Sequence, residues 1–297
     1  MSVAAASDLL LLFRVRTSAL RGGAVIDLSG KRAFVTGGGR GIGRATALLL
    51  ARAGASVAVG YRSRKADADE TIKAVGGGKG RKETVAVQAD LGDPGGAKRA
   101  VEEAARALGG LDILVVNHGV WPPDDVPLAA MSDAQWEGTR RANLDSMFYV
   151  CRAAIPRLAA GGAGARGTPG VPGVPGVPGG RIVLVASTAG QRGEPFHADY
   201  AATKGAAIAL TKSLAGEIAP RIAVNCVAPG WVDTEMCQQP FSRDAGNGKR
   251  EIERTIPLGR VATPEEIAGP IVFLCSDLAR HITGEVLNVN GGTVLCG

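Results

Sequence analysis

The stretch Ala33-Phe34-Val35-Thr36-Gly37-Gly38-Gly39-Arg40-Gly41-Ile42-Gly43 decides how this chain folds. Ala33–Thr36 is a short apolar run, and a helical pattern begins at Ile42 and continues to Ala53. A strand that runs through a glycine turn into a helix leaves unpaired N–H groups, and the positive end of the helix dipole, facing the turn. Glycines there allow a tight turn and let a pyrophosphate approach the backbone. Gly37, Gly41 and Gly43 are spaced G-x3-G-x-G rather than G-x-G-x-x-G, and no Gly-Lys-Ser/Thr follows to make a P-loop. The segment reads as a nucleotide-binding turn.

Outward from this turn, six more strand-like runs follow at Ser56–Gly60, Thr84–Gln88, Ile113–Val116, Arg181–Ala186, Ile222–Ala228 and Val286–Val289. Segments of helical period separate them, among them Ala97–Leu108, Asp133–Leu158 and Tyr200–Ile218. Continuous apolar strands alternating with helices imply βαβ crossovers and a parallel sheet covered on both faces. The expectation is a single α/β domain: a doubly wound, Rossmann-type, seven-stranded parallel sheet with helices on both faces.

Composition agrees. The 297 residues include 43 glycines and only 4% aromatics, which suits small-residue helices packed on strands better than an aromatic-cored sandwich. No run of 18 apolar residues exists, which excludes a spanning helix. The net charge of +6 is spread out and accompanied by no nucleic-acid-binding motif, so neither nucleic acid nor membrane is an expected partner. Cys151, Cys226, Cys237, Cys275 and Cys296 form no C-x-x-C pair and read as reduced thiols of a cytoplasmic protein. His118, His197 and His281 are scattered, and no metal site is expected.

Residues 1–24 read as a poorly ordered N-terminal extension, Arg-bearing and nearly acid-free, and the simpler reading is an upstream start. The folded domain is placed at 25–297. Residues 161–180, GGAGARGTPGVPGVPGVPGG, have almost nothing to bury and read as a Gly/Pro-rich solvent loop inserted in that domain.

Two features bear on chemistry. After the second strand an acidic residue would bind the ribose 2′-hydroxyl of NAD. The chain instead has Tyr61-Arg62-Ser63-Arg64, and Arg40 sits in the glycine turn, so Arg40 and Arg62 are expected to converge on a 2′-phosphate and select NADP(H). Tyr200 and Lys204, four apart, share a helix face, and a neighbouring ammonium lowers a phenol's pKa so that it exchanges protons with a carbonyl oxygen. Ser187 lies upstream at a strand end, where parallel-sheet sites form.

With these residues in place the chain resembles the short-chain dehydrogenase/reductase family from about Ile26 to Gly292, the Gly/Pro insert aside. The likeness rests on Thr36–Gly43, Asp90, Asn117-His118-Gly119, Asn143, Ser187, Tyr200, Lys204, Pro229-Gly230 and Thr234. It implies that Tyr200 is the proton donor, that Ser187 orients the carbonyl, and that Lys204 binds the nicotinamide ribose and tunes Tyr200. Asn143 would hold a water in a proton relay, Asp90 would contact adenine, Asn117 the cofactor's edge and Thr234 the carboxamide. Thr36, Gly37, Arg40, Gly41, Ile42, Gly43, Arg62, Leu91, Gly119, Pro229, Gly230 and Val232 would complete the cofactor site.

The chain departs from the family's usual Asn-Asn-Ala-Gly at Val116-Asn117-His118-Gly119, where His118 is expected to fill the alanine site by packing. Trp121 and Trp231 read as walls of a pocket or, more simply, as packing in the core or under a lid, and the lid is placed at 233–260. His197 reads equally as a residue of the substrate mouth or as a surface histidine at a helix start. Among family members the 3-oxoacyl-acyl-carrier-protein reductases look most similar. That implies an NADPH-dependent reductase of a small carbonyl compound or acyl thioester, with acyl carrier protein as a possible partner and a homotetrameric assembly. The alternatives are a sugar or polyol dehydrogenase of the same family and a nonenzymatic NADP-binding regulator.

Overall fold

The computed structural model describes residues 25–76, 84–164 and 179–295. The expected 1–24 extension and most of the Gly/Pro-rich stretch lie outside them. Seven strands form one parallel sheet in the order β3-β2-β1-β4-β5-β6-β7. They are β1 (Arg32–Thr36), β2 (Ser56–Tyr61), β3 (Val85–Gln88), β4 (Ile113–Val116), β5 (Gly180–Val185), β6 (Ile222–Pro229) and β7 (Val286–Val289). The expected doubly wound architecture is therefore present, with each strand within two residues of its sequence reading.

Helices cover both faces. One layer comprises α1 (Gly41–Arg52), α2 (Lys65–Val75) and, later in the chain, the helix Pro264–Leu274; it buries Ala47, Leu50, Ala68, Ile267 and Ile271 against the sheet. The other comprises α3 (Pro94–Leu108), α5 (Ser146–Gly164) and α7 (Ala198–Ile218), and buries Val101, Leu108, Val150, Leu158 and Leu214. A strand covered on both sides is mostly apolar, and β4 and β5 are buried throughout, Arg181 of β5 included. At the base of the sheet Arg32 clamps Asp112 through two hydrogen bonds of 2.7 and 2.9 Å, which ties the start of β1 to that of β4.

The helix expected at Asp133–Leu158 is divided. α4 (Asp133–Arg140) gives way to a π-helical turn at Arg141–Asp145 before α5 begins. Such turns open the regular hydrogen-bond ladder and often mark functional positions. This one holds Asn143. Strand order reverses on either side of β1, so a crevice opens outside the carboxyl ends of β1 and β4, where open α/β sheets bind ligands.

Candidate active site

The crevice is a single cleft of ≈ 370 Å³ that runs from the glycine turn to Tyr200. At its cofactor end, the residue capping α1 is Arg40, which is extended and makes no side-chain cap bond. The helix's first N–H groups therefore face the cleft unpaired by a side chain, as anion binding requires. A Cβ on Gly43 would lie 2.2 Å from the Gly37 carbonyl oxygen, so only glycine lets the helix start so close beneath the turn. Asn117 fixes the turn from below, donating to the carbonyls of Thr36 and Gly37 at 3.2 Å each. Thr36 is fully buried and accepts from the Asn117 backbone N–H at 3.0 Å. These features fit a dinucleotide pyrophosphate.

Most of the expected cofactor contacts line the cleft: Gly37, Arg40, Gly41, Ile42, Arg62, Asp90, Leu91, Asn117, Gly119, Pro229, Gly230, Val232 and Thr234. Thr36, Gly43 and Asn143 instead support it from behind. A third arginine joins the two expected ones. Arg40 and Arg64 converge, sharing the Glu235 carboxylate, with Arg64 at 3.0 Å. Arg62 lines the same cleft and is close enough to Asp90 and His118 to influence both. Asp90 is exposed, and although partial desolvation opposes its ionisation, the Gly92 N–H and the Arg141 guanidinium, 2.6 Å away, hold its carboxyl below the usual range.

At the other end, Ser187 caps the short helix α6 (Thr188–Arg192), accepting from the Ala189 N–H at 3.1 Å. α6 lies against α7 so closely that a Cβ on Gly190 would sit 2.4 Å from the Lys204 carbonyl carbon. That approach brings Ser187 within hydrogen-bonding range of Tyr200. The start of α7 is anchored by buried Asp199, which takes a 2.7 Å bond from Thr139 of α4. Lys204 Nζ lies 5.6 Å from the Tyr200 ring centre and donates to the Val185 carbonyl at 2.8 Å.

Burial dominates the titration of this pair. It raises the Tyr200 phenol above the ordinary tyrosine range, with the Ser187 hydrogen bond opposing. It lowers Lys204 to about 8. Desolvation outweighs any lowering of the phenol, contrary to the sequence expectation, and Tyr200 is held in its protonated form. Asn143 is fixed by its own side chain. Its amide is committed to the Val120 backbone at 2.7 and 2.9 Å and to the Thr203 hydroxyl at 3.1 Å, which locks the Gly119–Val120 loop over α7.

The aromatic rings that the sequence left with two readings take definite places. His118 does more than fill space: its ring bridges the Thr36 and Ser146 hydroxyls at 2.8 and 2.7 Å at the cleft wall. Trp121 and Trp231 line the cleft itself, meeting edge to face with centres 6.1 Å apart. His197 is buried, not a surface residue, and stacks on Trp121 at 4.7 Å. The lid expected over 233–260 contains short helices α8 (Gln238–Phe241), α9 (Arg243–Gly246) and α10 (Gly248–Arg254), with the sheet-covering helix α11 (Pro264–Leu274) after it. Arg243 fastens the lid to the loop after β4 through Asp125 at 3.3 Å. Glu194 and Glu235, both lining the cleft, escaped sequence reading because single loop carboxylates carry no pattern.

A model of the short chain dehydrogenase family matches residues 31–245. An uncharacterised oxidoreductase of Methylorubrum extorquens is 38% identical over 273 residues, covering 89% of this chain and 98% of that one. The 3-oxoacyl-[acyl-carrier-protein] reductase of Aquifex aeolicus is 37% identical over 272 residues, covering 90% and 98%. Among solved structures, a glucose/ribitol dehydrogenase of the same family from Brucella melitensis superimposes with TM-score 0.79 at 33% identity, covering 91% of this chain and 99% of that one. The chain belongs to the short-chain dehydrogenase/reductase family of oxidoreductases. Within it, the 3-oxoacyl-acyl-carrier-protein reductases are among the proteins it resembles over most of its length.

Proposed function

We propose that this chain is an NADPH-dependent carbonyl reductase in which Tyr200 supplies the proton. The observation that carries the reading is the meeting of Ser187, Tyr200 and Lys204 at one end of a cleft whose other end is a glycine turn flanked by arginines. Bound NADPH supplies hydride to the carbonyl carbon. Ser187 donates a hydrogen bond to the carbonyl oxygen and fixes its position. Tyr200, kept protonated by burial, gives that oxygen its proton, and the Lys204 ammonium stabilises the tyrosinate left behind. Asn143 holds the Gly119–Val120 loop in place beside Lys204. Arg40, Arg62 and Arg64 supply the charge that a 2′-phosphate needs, while Asp90, Leu91, Asn117 and Thr234 border the rest of the cofactor.

The similarity to 3-oxoacyl-acyl-carrier-protein reductases supports an acyl thioester as one candidate substrate, and a cytoplasmic homotetramer is the proposed working form. A second reading, a sugar or polyol dehydrogenase, is favoured by Glu194 standing among tryptophans at the substrate end. The test is loss of NADPH absorbance on addition of β-ketoacyl thioesters, diketones or hydroxyketones. Turnover of at least one class is expected. Tight NADPH binding with no turnover of any of them would leave a regulatory NADP-binding protein as the better reading.

A further inference from the structure

The substrate end of the cleft holds a carboxylate that hydride and proton transfer leave unused. Glu194 lies on the loop between α6 and α7, half-buried, and lines the same cleft as Ser187 and Tyr200. Two loops build its surroundings. From the loop after β4, Trp121 lies flat on His197, with 15° between the rings, and meets Trp231 edge-on. The Val126 N–H donates to the Phe196 carbonyl at 3.1 Å and pins the two loops together. Phe196 adopts a φ of 67°, a conformation that a bulky side chain keeps only where its surroundings enforce it. The box is thus held in shape before any substrate arrives.

Trp121 stands close enough to Glu194 to favour its ionised form, and its indole has a single N–H donor to offer. The carboxylate therefore keeps most of its accepting capacity for whatever enters the cleft. Burial already raises its pKa, with His197 and Arg192 opposing, so the group is short of solvent. An aliphatic chain laid over it would remove the remaining water without replacing it. A substrate hydroxyl restores the lost hydrogen bond, and indole walls accept the C–H faces of a polyol. A cationic substrate would meet the Arg192 guanidinium beside Glu194 and Arg243 on the lid.

Resting on the carbonyl-reductase reading above, we infer that Glu194 is a specificity-determining residue that accepts a hydrogen bond from a substrate hydroxyl. The preferred substrates are then hydroxylated ketones or aldehydes, interconverted with the corresponding polyols, rather than unsubstituted acyl compounds. Oxidation and reduction balance as for any ketone: the carbonyl carbon gains hydride from NADPH, and its oxygen gains the Tyr200 proton.

Erythrulose and 2-butanone share a four-carbon skeleton and a carbonyl position and differ in hydroxyls, so the ratio of their kcat/KM values isolates the contact. The wild-type ratio is expected to favour erythrulose. Glu194→Leu should lower that ratio by about 10- to 150-fold, the range for hydrogen bonds to a charged group, and Glu194→Gln should retain part of it. A ratio unchanged in Glu194→Leu, or a wild-type preference for acetoacetyl thioester or an aminoketone over erythrulose, overturns the assignment. Quenching of tryptophan fluorescence by erythritol, with NADP⁺ saturating, gives an independent reading. Binding that Glu194→Leu weakens, without turnover of any ketone, keeps the Glu194 contact and overturns carbonyl reduction. Neither binding nor turnover overturns both.

Discussion

The carboxylate of Glu235, on the segment that follows β6, pairs with the guanidinium of Arg40 in the glycine turn and so joins the two banks of the cleft. Arg64 shares the same carboxylate. All three side chains are about half exposed, and pairs of that kind contribute about 1 kcal/mol or less. A 2′-phosphate arriving at these arginines competes with Glu235 for them. Glu235→Gln should therefore tighten NADPH binding about two- to fivefold relative to NADH, in line with that small energy. Arg62→Asp should cut kcat/KM for NADPH by about 10- to 150-fold and spare NADH, since a charge-assisted bond to phosphate contributes about 1.5–3 kcal/mol. Fluorescence titration and steady-state kinetics with both cofactors check this pair of outcomes. Equal changes for NADH and NADPH would remove the phosphate assignment.

Catalysis carries its own pH signature. Burial lowers Lys204 to about 8, so the ammonium is lost as pH rises through that value. The kcat/KM for NADPH, which reports ionisations of the free enzyme, should fall on the alkaline side of about pH 8. Lys204→Met should be slow at every pH and lack that limb. Tyr200→Phe should abolish turnover while leaving NADPH affinity within a few fold, because only the transferable proton is gone. A Tyr200→Phe variant with near wild-type kcat would identify a different acid.

His118 offers a test of how the two halves of the site are joined. Its ring spans Thr36 at the end of β1 and Ser146 at the start of α5. Burial, then Lys204 and Arg62, lowers its pKa from 6.5 to about 3, so the ring is neutral and has one donor and one acceptor nitrogen. Ser146 Oγ lies 2.7 Å from the Ala142 carbonyl, whereas Thr36 Oγ1 lies 3.2 Å from that of Val115. The shorter bond assigns the Ser146 proton to Ala142, so Nε2 donates to Ser146 and Nδ1 accepts from Thr36. Because the unfolded chain binds a proton at His118 that the folded chain refuses, stability should rise with pH between about 3 and 6.5. His118→Ala should flatten that rise. It should also remove the bond that each hydroxyl makes to the ring, leaving Ser146 its bond to Ala142 and Thr36 its bond from Asn117, at a cost of about 1–3 kcal/mol for the two lost bonds, seen as a lower Tm. A variant as stable as wild type, with the same pH dependence, would contradict this.

The strands were legible because parallel strands buried on both faces are mostly apolar, as Ile113–Val116 is throughout. The Asp133–Leu158 segment misled for a different reason: nothing in the polar stretch Asp133–Asp145 marks the change of hydrogen-bond register at the π-helical turn that ends α4. Helix α2 left a weak trace, since only Ala68, Thr71 and Val75 are buried among its charges. In the site, the glycine turn and the Tyr200–Lys204 spacing are local patterns and could be read from sequence. Glu194, Glu235 and Trp121 matter through neighbours distant in sequence, and only the fold brings those together. The same is true of His118, whose partners lie 82 residues before it and 28 after it.

The Gly/Pro-rich stretch gives the last prediction, argued from the residues that flank it. α5 ends at Gly164, and on the far side Gly179 and Gly180 donate their N–H groups to the Arg221 carbonyl at 2.9 and 3.1 Å. β5 then runs from Gly180 to Val185 before Ser187. At about 3.3 Å per residue the strand places the anchor roughly 20 Å from the catalytic end. Replacing residues 168–178 with a two-residue turn leaves that anchor and both flanking elements intact. NADPH affinity and turnover of a small ketone should stay within about threefold, a barrier change below roughly 1 kcal/mol. The melting temperature should move little, because loop-closure entropy varies only slowly with length. Loss of turnover in a deletion variant that keeps its melting temperature and its tryptophan fluorescence would place this segment in the site after all.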